Sequence, residues 1–252
     1  MKHGAVVLAF SRRSGNCDTT FTVEATLEHL KLMKYRPHLI SDYEGCENFN
    51  SRGDVCIHPC IGVSTVVQLN DELKEILGRY DRILLLVLGG DGVGWPLPSG
   101  ERLSVTSLIS LLKVQSGSST EILVIMEGLT GGKGGLPYKL ENEGHFTLTG
   151  RYSTSLQSIV VLSCDCYTSI IRNENEGACE CPFISSLLEL LRGGVNSLQL
   201  LVSRMERERG VLMEVHSSYP ISATLWTWLW YDGLEIYINH KLMALVVEES
   251  EN

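Results

Sequence analysis

Apolar blocks alternate with polar, glycine-bearing stretches along this chain, and the blocks divide into two periods. Ala5 to Phe10 is a continuous apolar run of the length of a buried strand, and Phe21, Val23, Leu27, Leu30 and Met33 follow at helical spacing. From Gly45 to Gly62 the sequence is polar and aperiodic, which predicts a loop. Val66, Leu69, Leu73, Ile76, Leu77 and Tyr80 then mark one face of a second helix. That helix leads into Arg82-Ile-Leu-Leu-Leu-Val-Leu-Gly-Gly-Asp-Gly-Val-Gly94, where six consecutive apolar residues run into glycines. Ser104 to Lys113 predicts a short helix and Glu121 to Met126 a strand, again ending in a glycine-rich loop. Gly128 to Gly150 reads as a connection of more than twenty residues, a length compact domains rarely tolerate without a function for it. A strand at Ser158 to Cys164, helices at Pro182 to Leu191 and Ser197 to Glu208, and a strand at Val211 to His216 follow. Two extended segments, Ala223 to Trp230 and Leu234 to Ile238, complete the chain.

Strands alternating with helices predict an α/β fold, with parallel strand pairing and helices on both faces of the sheet. The 252 residues, 44% of them apolar, show no internal repeat, so residues 1–252 read as a single domain. With 21 basic against 30 acidic residues the net charge is −9, which opposes a nucleic-acid backbone or an anionic membrane as the main partner. The apolar run within Met1 to Phe10 is short for a signal peptide, and no run approaches the roughly 18 residues of a membrane span. The chain therefore reads as cytoplasmic, and its eight cysteines as thiols rather than a disulfide framework.

Ligands of parallel α/β sheets sit at the carboxyl ends of the strands, where both glycine loops fall. A phosphate site is the first reading of such loops, but the spacing rejects it. Lys133 is followed by Gly134, and Glu127 stands five positions before Gly132 where a phosphate loop needs glycine; a dinucleotide fingerprint needs a third glycine where Trp95 stands.

The order of these segments resembles the caspases, cysteine proteases that cut after aspartate, nearly end to end. Caspases open with a strand followed by Arg-x-Gly-x-x-Asp at the first helix, and Arg13-Ser-Gly-Asn-Cys-Asp18 stands in that place. Their Ser-His-Gly loop, which carries the general base, corresponds to Leu88-Gly89-Gly90. Their Gln-Ala-Cys-Arg-Gly strand end, which carries the nucleophile, corresponds to Met126-Glu127-Gly128-Leu129-Thr130. Both catalytic positions, Gly89 and Gly128, are glycine, which can neither ionise nor attack. The resemblance thus implies a pseudoenzyme with no catalytic residue.

The later half carries the likeness on. Val160-Val-Leu-Ser163 corresponds to a strand, Ile170-Ile-Arg172 to a Tyr-Ser-Trp-Arg-type loop, and Pro182-Phe-Ile-Ser-Ser-Leu187 to the helix opened by Gly-Ser-Trp-Phe. By this correspondence Arg13 and Arg172 stand where caspases grip the substrate aspartate, a task guanidinium geometry suits. The pocket glutamine falls on Met126 and the tryptophan on Ile171, leaving a vestigial aspartate pocket of Arg13, Arg172 and Met126. The resemblance implies a caspase-like three-layer sandwich with about six strands, residues 1–130 matching the large subunit and 156–252 the small one. Active caspases are cut after aspartate in the intervening linker, here 131–155, and no aspartate occurs between Asp91 and Asp165. This linker is expected to stay uncleaved.

Trp226, Trp228 and Trp230 share one face of a strand by period two, a stripe that suits either a core or an interface. The segment matches the strand through which caspases dimerise, which assigns Thr224, Trp226, Trp228 and Trp230 to a partner interface. Cys164-Asp-Cys166 and Cys179-Glu-Cys181 offer four thiolates, but zinc pairs usually read Cys-x-x-Cys, so no metal and no cofactor is expected. Cys56-Ile-His-Pro-Cys60 is a weaker metal pattern still. His3, His29, His38, His58, His145, His216 and His240 are scattered, none on a strand-end glycine loop. Arg204 to Arg209 alternates charge in the manner of a solvated helix face. The function expected from the resemblance is regulation of an active caspase of the same organism, in apoptosis or related signalling, by heterodimerisation, with a homodimer also open. The alternative is a cysteine protease with a relocated nucleophile, such as Cys164 with a loop histidine.

Overall fold

The computed structural model describes residues 2–10, 19–41, 55–58, 65–89, 94–115, 120–127, 136–141, 146–148, 158–164, 182–193, 195 and 197–219. In chain order these give β1 (His3–Ala9), α1 (Thr19–Leu32), β2 (His38–Ser41), β3 (Cys56–His58), α2 (Val66–Leu77), β4 (Arg82–Leu88), β5 (Trp95–Pro96) and β6 (Arg102–Leu103). Then come α3 (Val105–Gln115), β7 (Glu121–Glu127), β8 (Tyr138–Leu140), β9 (Phe146–Leu148), β10 (Ser158–Cys164), α4 (Pro182–Arg192), α5 (Leu198–Arg209) and β11 (Met213–Ser217).

Among the described residues, nine strands form one sheet in the order β3-β2-β1-β4-β7-β10-β11-β8-β9. From β3 to β10 every pairing is parallel; β11, β8 and β9 are joined antiparallel. The expectation of about six strands is therefore corrected to nine, six of them forming the parallel run. The extra strands arise where the sequence reads as loop. β8 and β9 lie within the glycine-rich connection, three residues each, and segments this short carry too little alternation to be read as strands. β8 joins the sheet through β11, with His216 opposite Lys139.

β1, β4, β7 and β10 are buried at every position but the first because helices cover both faces. Such strands need apolar residues on both sides, hence continuous runs rather than alternation. Successive residues feed opposite cores. Leu84, Leu86, Leu123, Ile125, Val160 and Leu162 pack with α1, α4 and α5. Leu85, Val87, Ile122, Val124, Ile159 and Val161 pack with α2, α3 and the β5–β6 hairpin, whose Trp95 is wholly buried. The mostly parallel sheet and its two helix layers are the three-layer α/β architecture expected.

The helix ends follow local chemistry. Thr65 caps α2 in a reciprocal box, its hydroxyl accepting from Gln68 N–H at 3.3 Å while the Gln68 side chain accepts from Thr65 N–H at 3.1 Å. Ser197 caps α5, accepting from Leu200 N–H. The charged run at the end of α5 is solvated except for Met205, with Arg204 and Glu208 paired one turn apart at 2.8 Å.

On α1, His29 Nδ1 is buried without a hydrogen bond. Burial first, and then the nearby Arg192 charge, hold its pKa below the usual value, with Glu189 and Glu28 opposing. A folded pKa below the unfolded one means that protonation favours the unfolded chain, so stability is complete above about pH 6.5 and falls as pH drops through the folded value. The Tm of the wild-type protein is expected to drop further between pH 7.5 and pH 5.5 than that of His29→Gln. Equal drops in a thermal melt at the two pH values would show that His29 is not the titrating group.

Candidate functional site

The two glycine positions singled out in the sequence belong to neighbouring parallel strands. β4 and β7 run side by side with Val87 opposite Met126, so both chains leave the sheet at the same edge. Gly89 follows β4 directly, and β7 ends at Glu127, the residue before Gly128. Gly128 itself lies outside the described residues. The backbone of Gly89 donates a hydrogen bond to Glu127 Oε2 at 2.9 Å, which ties the two strand ends together. Glu127 is 1% exposed, so the bond forms in a low-dielectric setting where a hydrogen bond counts for more than it does in water. No feature of the sequence reading assigned Glu127 this role; an acidic residue closing an apolar strand was the available signal.

Gly89 has φ of +82°, in the region L side chains rarely occupy. A Cβ there would lie 1.9 Å from the Phe10 carbonyl oxygen, so the end of β1 fills the space a side chain needs. The residue is glycine because the Phe10 backbone passes where a Cβ would sit.

Met126 is fully buried and points into the core beneath α2 and α3. Cys164, the last residue of β10, is opposite Glu127 in the register and is also fully buried. A nucleophile must reach a substrate carbonyl, and a thiol buried in the core among the residues of α1 and α4 does not. Of the histidines, His38 hydrogen-bonds Tyr80 Oη at 2.7 Å, and buried His216 stands 3.5 Å from Glu214 Oε2, while Lys139 pairs with Oε1 of the same residue. His3 and His38 begin β1 and β2, at the amino end of the sheet, and His29 lies on α1. The side chains of His58, His145 and His240 lie outside the described residues. So do Arg13, Arg172, Ile171, Thr224, Trp226, Trp228, Trp230, Cys166, Cys179 and Cys181. Among the described residues no helix is long and apolar enough to cross a membrane.

No protein-family model matches the chain, and no curated protein does. Among solved structures, yeast methylglyoxal/isovaleraldehyde reductase Gre2, complexed with NADPH, is similar at a TM-score of 0.34 and 11% identity. The match covers 51% of this chain and 38% of the reductase, and a likeness this weak carries no functional weight.

Proposed function

We propose that this protein is a non-catalytic caspase homologue that binds an active caspase of its own organism in the cytoplasm and regulates it by heterodimerisation. The observation that carries this reading is Gly89. It stands at a strand end where the resemblance puts a general base, and its left-handed backbone and the Phe10 carbonyl leave no room for any side chain. The neighbouring strand end supplies a buried carboxylate used as a hydrogen-bond acceptor, followed in sequence by Gly128 where a nucleophile is needed. A strand end that leaves no room for a side chain at Gly89 suits a binding role. Such a partner acts through its different affinities for the states of the live enzyme, either ordering its active site or withholding it. Arg13, Arg172 and the segment bearing Thr224, Trp226, Trp228 and Trp230 are the proposed contacts, while Met126 is a core residue.

The test mixes purified protein with each active caspase of the organism, following co-elution on size exclusion and hydrolysis of an aspartate reporter peptide. Expected are no turnover by the protein alone, and co-elution with a changed rate for at least one caspase. Absence of both co-elution and rate change across the whole set would sink the regulator reading. Intrinsic aspartate-directed hydrolysis, lost on substituting one cysteine, would establish the relocated-nucleophile protease instead.

A further inference from the structure

At the opposite end of the sheet from Gly89, three chemically active side chains converge on one face. His38 opens β2 and Cys56 opens β3, and the two are paired in the parallel register, which sends their side chains to the same side of the sheet. Tyr80, two residues before β4, supplies the third. Its ring lies over Gly4 of β1 so closely that a Cβ on Gly4 would sit 2.6 Å from Tyr80 Cδ2. From there its hydroxyl reaches His38 Nε2 at 2.7 Å, with the two rings edge to face at 5.8 Å. Gly4 is glycine because the tyrosine ring occupies its side-chain space, and the ring so placed fixes the imidazole.

We propose that Cys56 is a nucleophilic thiol of this protein, set beside the fixed His38–Tyr80 pair, and that it forms covalent adducts with soft carbon electrophiles. His38 is 3% exposed, whereas Cys56 is only partly buried, so the imidazole is enclosed while the cysteine is partly open to solvent. The other cysteine among the described residues, Cys164, is buried. Burial raises the Tyr80 pKa, and the Cys56 sulfur raises it further, while the charges of Arg79 and Arg36 lower it. Tyr80 thus lies within electrostatic reach of the Cys56 sulfur and of two guanidinium groups, one of which, Arg79, is paired with Glu75. In the reaction the sulfur attacks the electrophilic carbon of a haloacetamide, a C–S bond forms, the C–I bond breaks and iodide leaves. The thiol proton passes to the His38 imidazole and on to solvent. His38 acts here as a positioning and proton-accepting residue for Cys56, and Tyr80 orients it.

The experiment exposes the full chain to limiting iodoacetamide and follows each of the eight cysteines by peptide mass spectrometry between pH 6 and 9. Cys56 is expected to react first, faster than free glutathione under the same conditions. His38→Gln should slow it about tenfold or more, and should remove from the rate–pH profile the inflection in the imidazole range, an effect that a purely structural role for His38 would not have. Tyr80→Phe, which keeps the ring over Gly4 and removes only the hydroxyl, should slow it less. A wild-type Cys56 that reacts no faster than glutathione overturns the proposal whatever the variants do. So does a folded His38→Gln protein with the wild-type rate and profile.

Discussion

Replacing Gly89 by alanine is expected to destabilise the protein by about 3 kcal/mol or more, the sum of a left-handed backbone strain and a clash that only backbone movement relieves. The added Cβ would stand 1.9 Å from the Phe10 carbonyl oxygen, so β1 and β4 must separate at their carboxyl ends. That separation endangers two hydrogen bonds, Phe10 N–H to the Leu88 carbonyl at 3.4 Å and Gly89 N–H to Glu127 at 2.9 Å. Gly100 is the internal control, because its φ of +89° carries the same backbone strain while nothing lies within 4 Å of its Cβ position. Gly100→Ala should therefore cost only about 1 kcal/mol, the strain without the clash. Urea unfolding of the two variants checks this, and equal losses would show that Phe10 does not restrict position 89. A functional corollary follows from the proposed reading. The pair Gly89→His with Gly128→Cys, which writes a histidine and a cysteine back into the two positions, should yield an unfolded or insoluble chain, not a protease. Soluble, aspartate-directed activity from that double variant would show that the Phe10 carbonyl does not close position 89 to a side chain.

The parallel centre of the sheet is legible in the sequence for a physical reason. Strands buried on both faces admit only apolar residues, so β1, β4, β7 and β10 announce themselves as runs, and the six residues from Ile83 to Leu88 are all buried. The outer strands are not legible. His38-Leu-Ile-Ser41 is only four residues, bracketed by polar positions, and becomes a strand because β1 offers it an edge to pair with. β8 and β9 likewise depend on β11 rather than on their own composition. The candidate site divides the same way. That Gly89 and Gly128 end neighbouring strands follows from the alternation of strands and helices. The Phe10 carbonyl against Gly89, and the Glu127 carboxylate beneath it, come from the packing of three strand ends and leave no pattern along the chain. The Cys56, His38 and Tyr80 cluster draws on three separate segments, and only the register of β2 against β3 unites it.

Replacing Phe183 by alanine carries the second large effect, an expected loss of about 3–5 kcal/mol for a buried aromatic side chain deleted from a close-packed core. Phe183 is the second residue of α4, behind Pro182, whose fixed φ and missing N–H suit the first turn of a helix. It is fully buried in the cluster that also holds Leu27 and Leu30 of α1, Leu123 and Ile125 of β7, and Leu198 and Leu201 of α5. α4 touches α1, α5 and β7, so the later half of the chain rests on the earlier half through this helix. A cavity at Phe183 is therefore felt across both halves. The unfolding midpoint should fall to the same value whether it is followed by helical circular dichroism or by hydrogen exchange of amides in β1 and β4. Phe183→Leu, which refills most of the volume, should lose less, about 1–2 kcal/mol. If Phe183→Ala loosened only α4 and α5 while the exchange of β1 and β4 stayed at the wild-type rate, the two halves would be separate cooperative units. In that case the continuous sheet from β3 to β9 would not unfold as one.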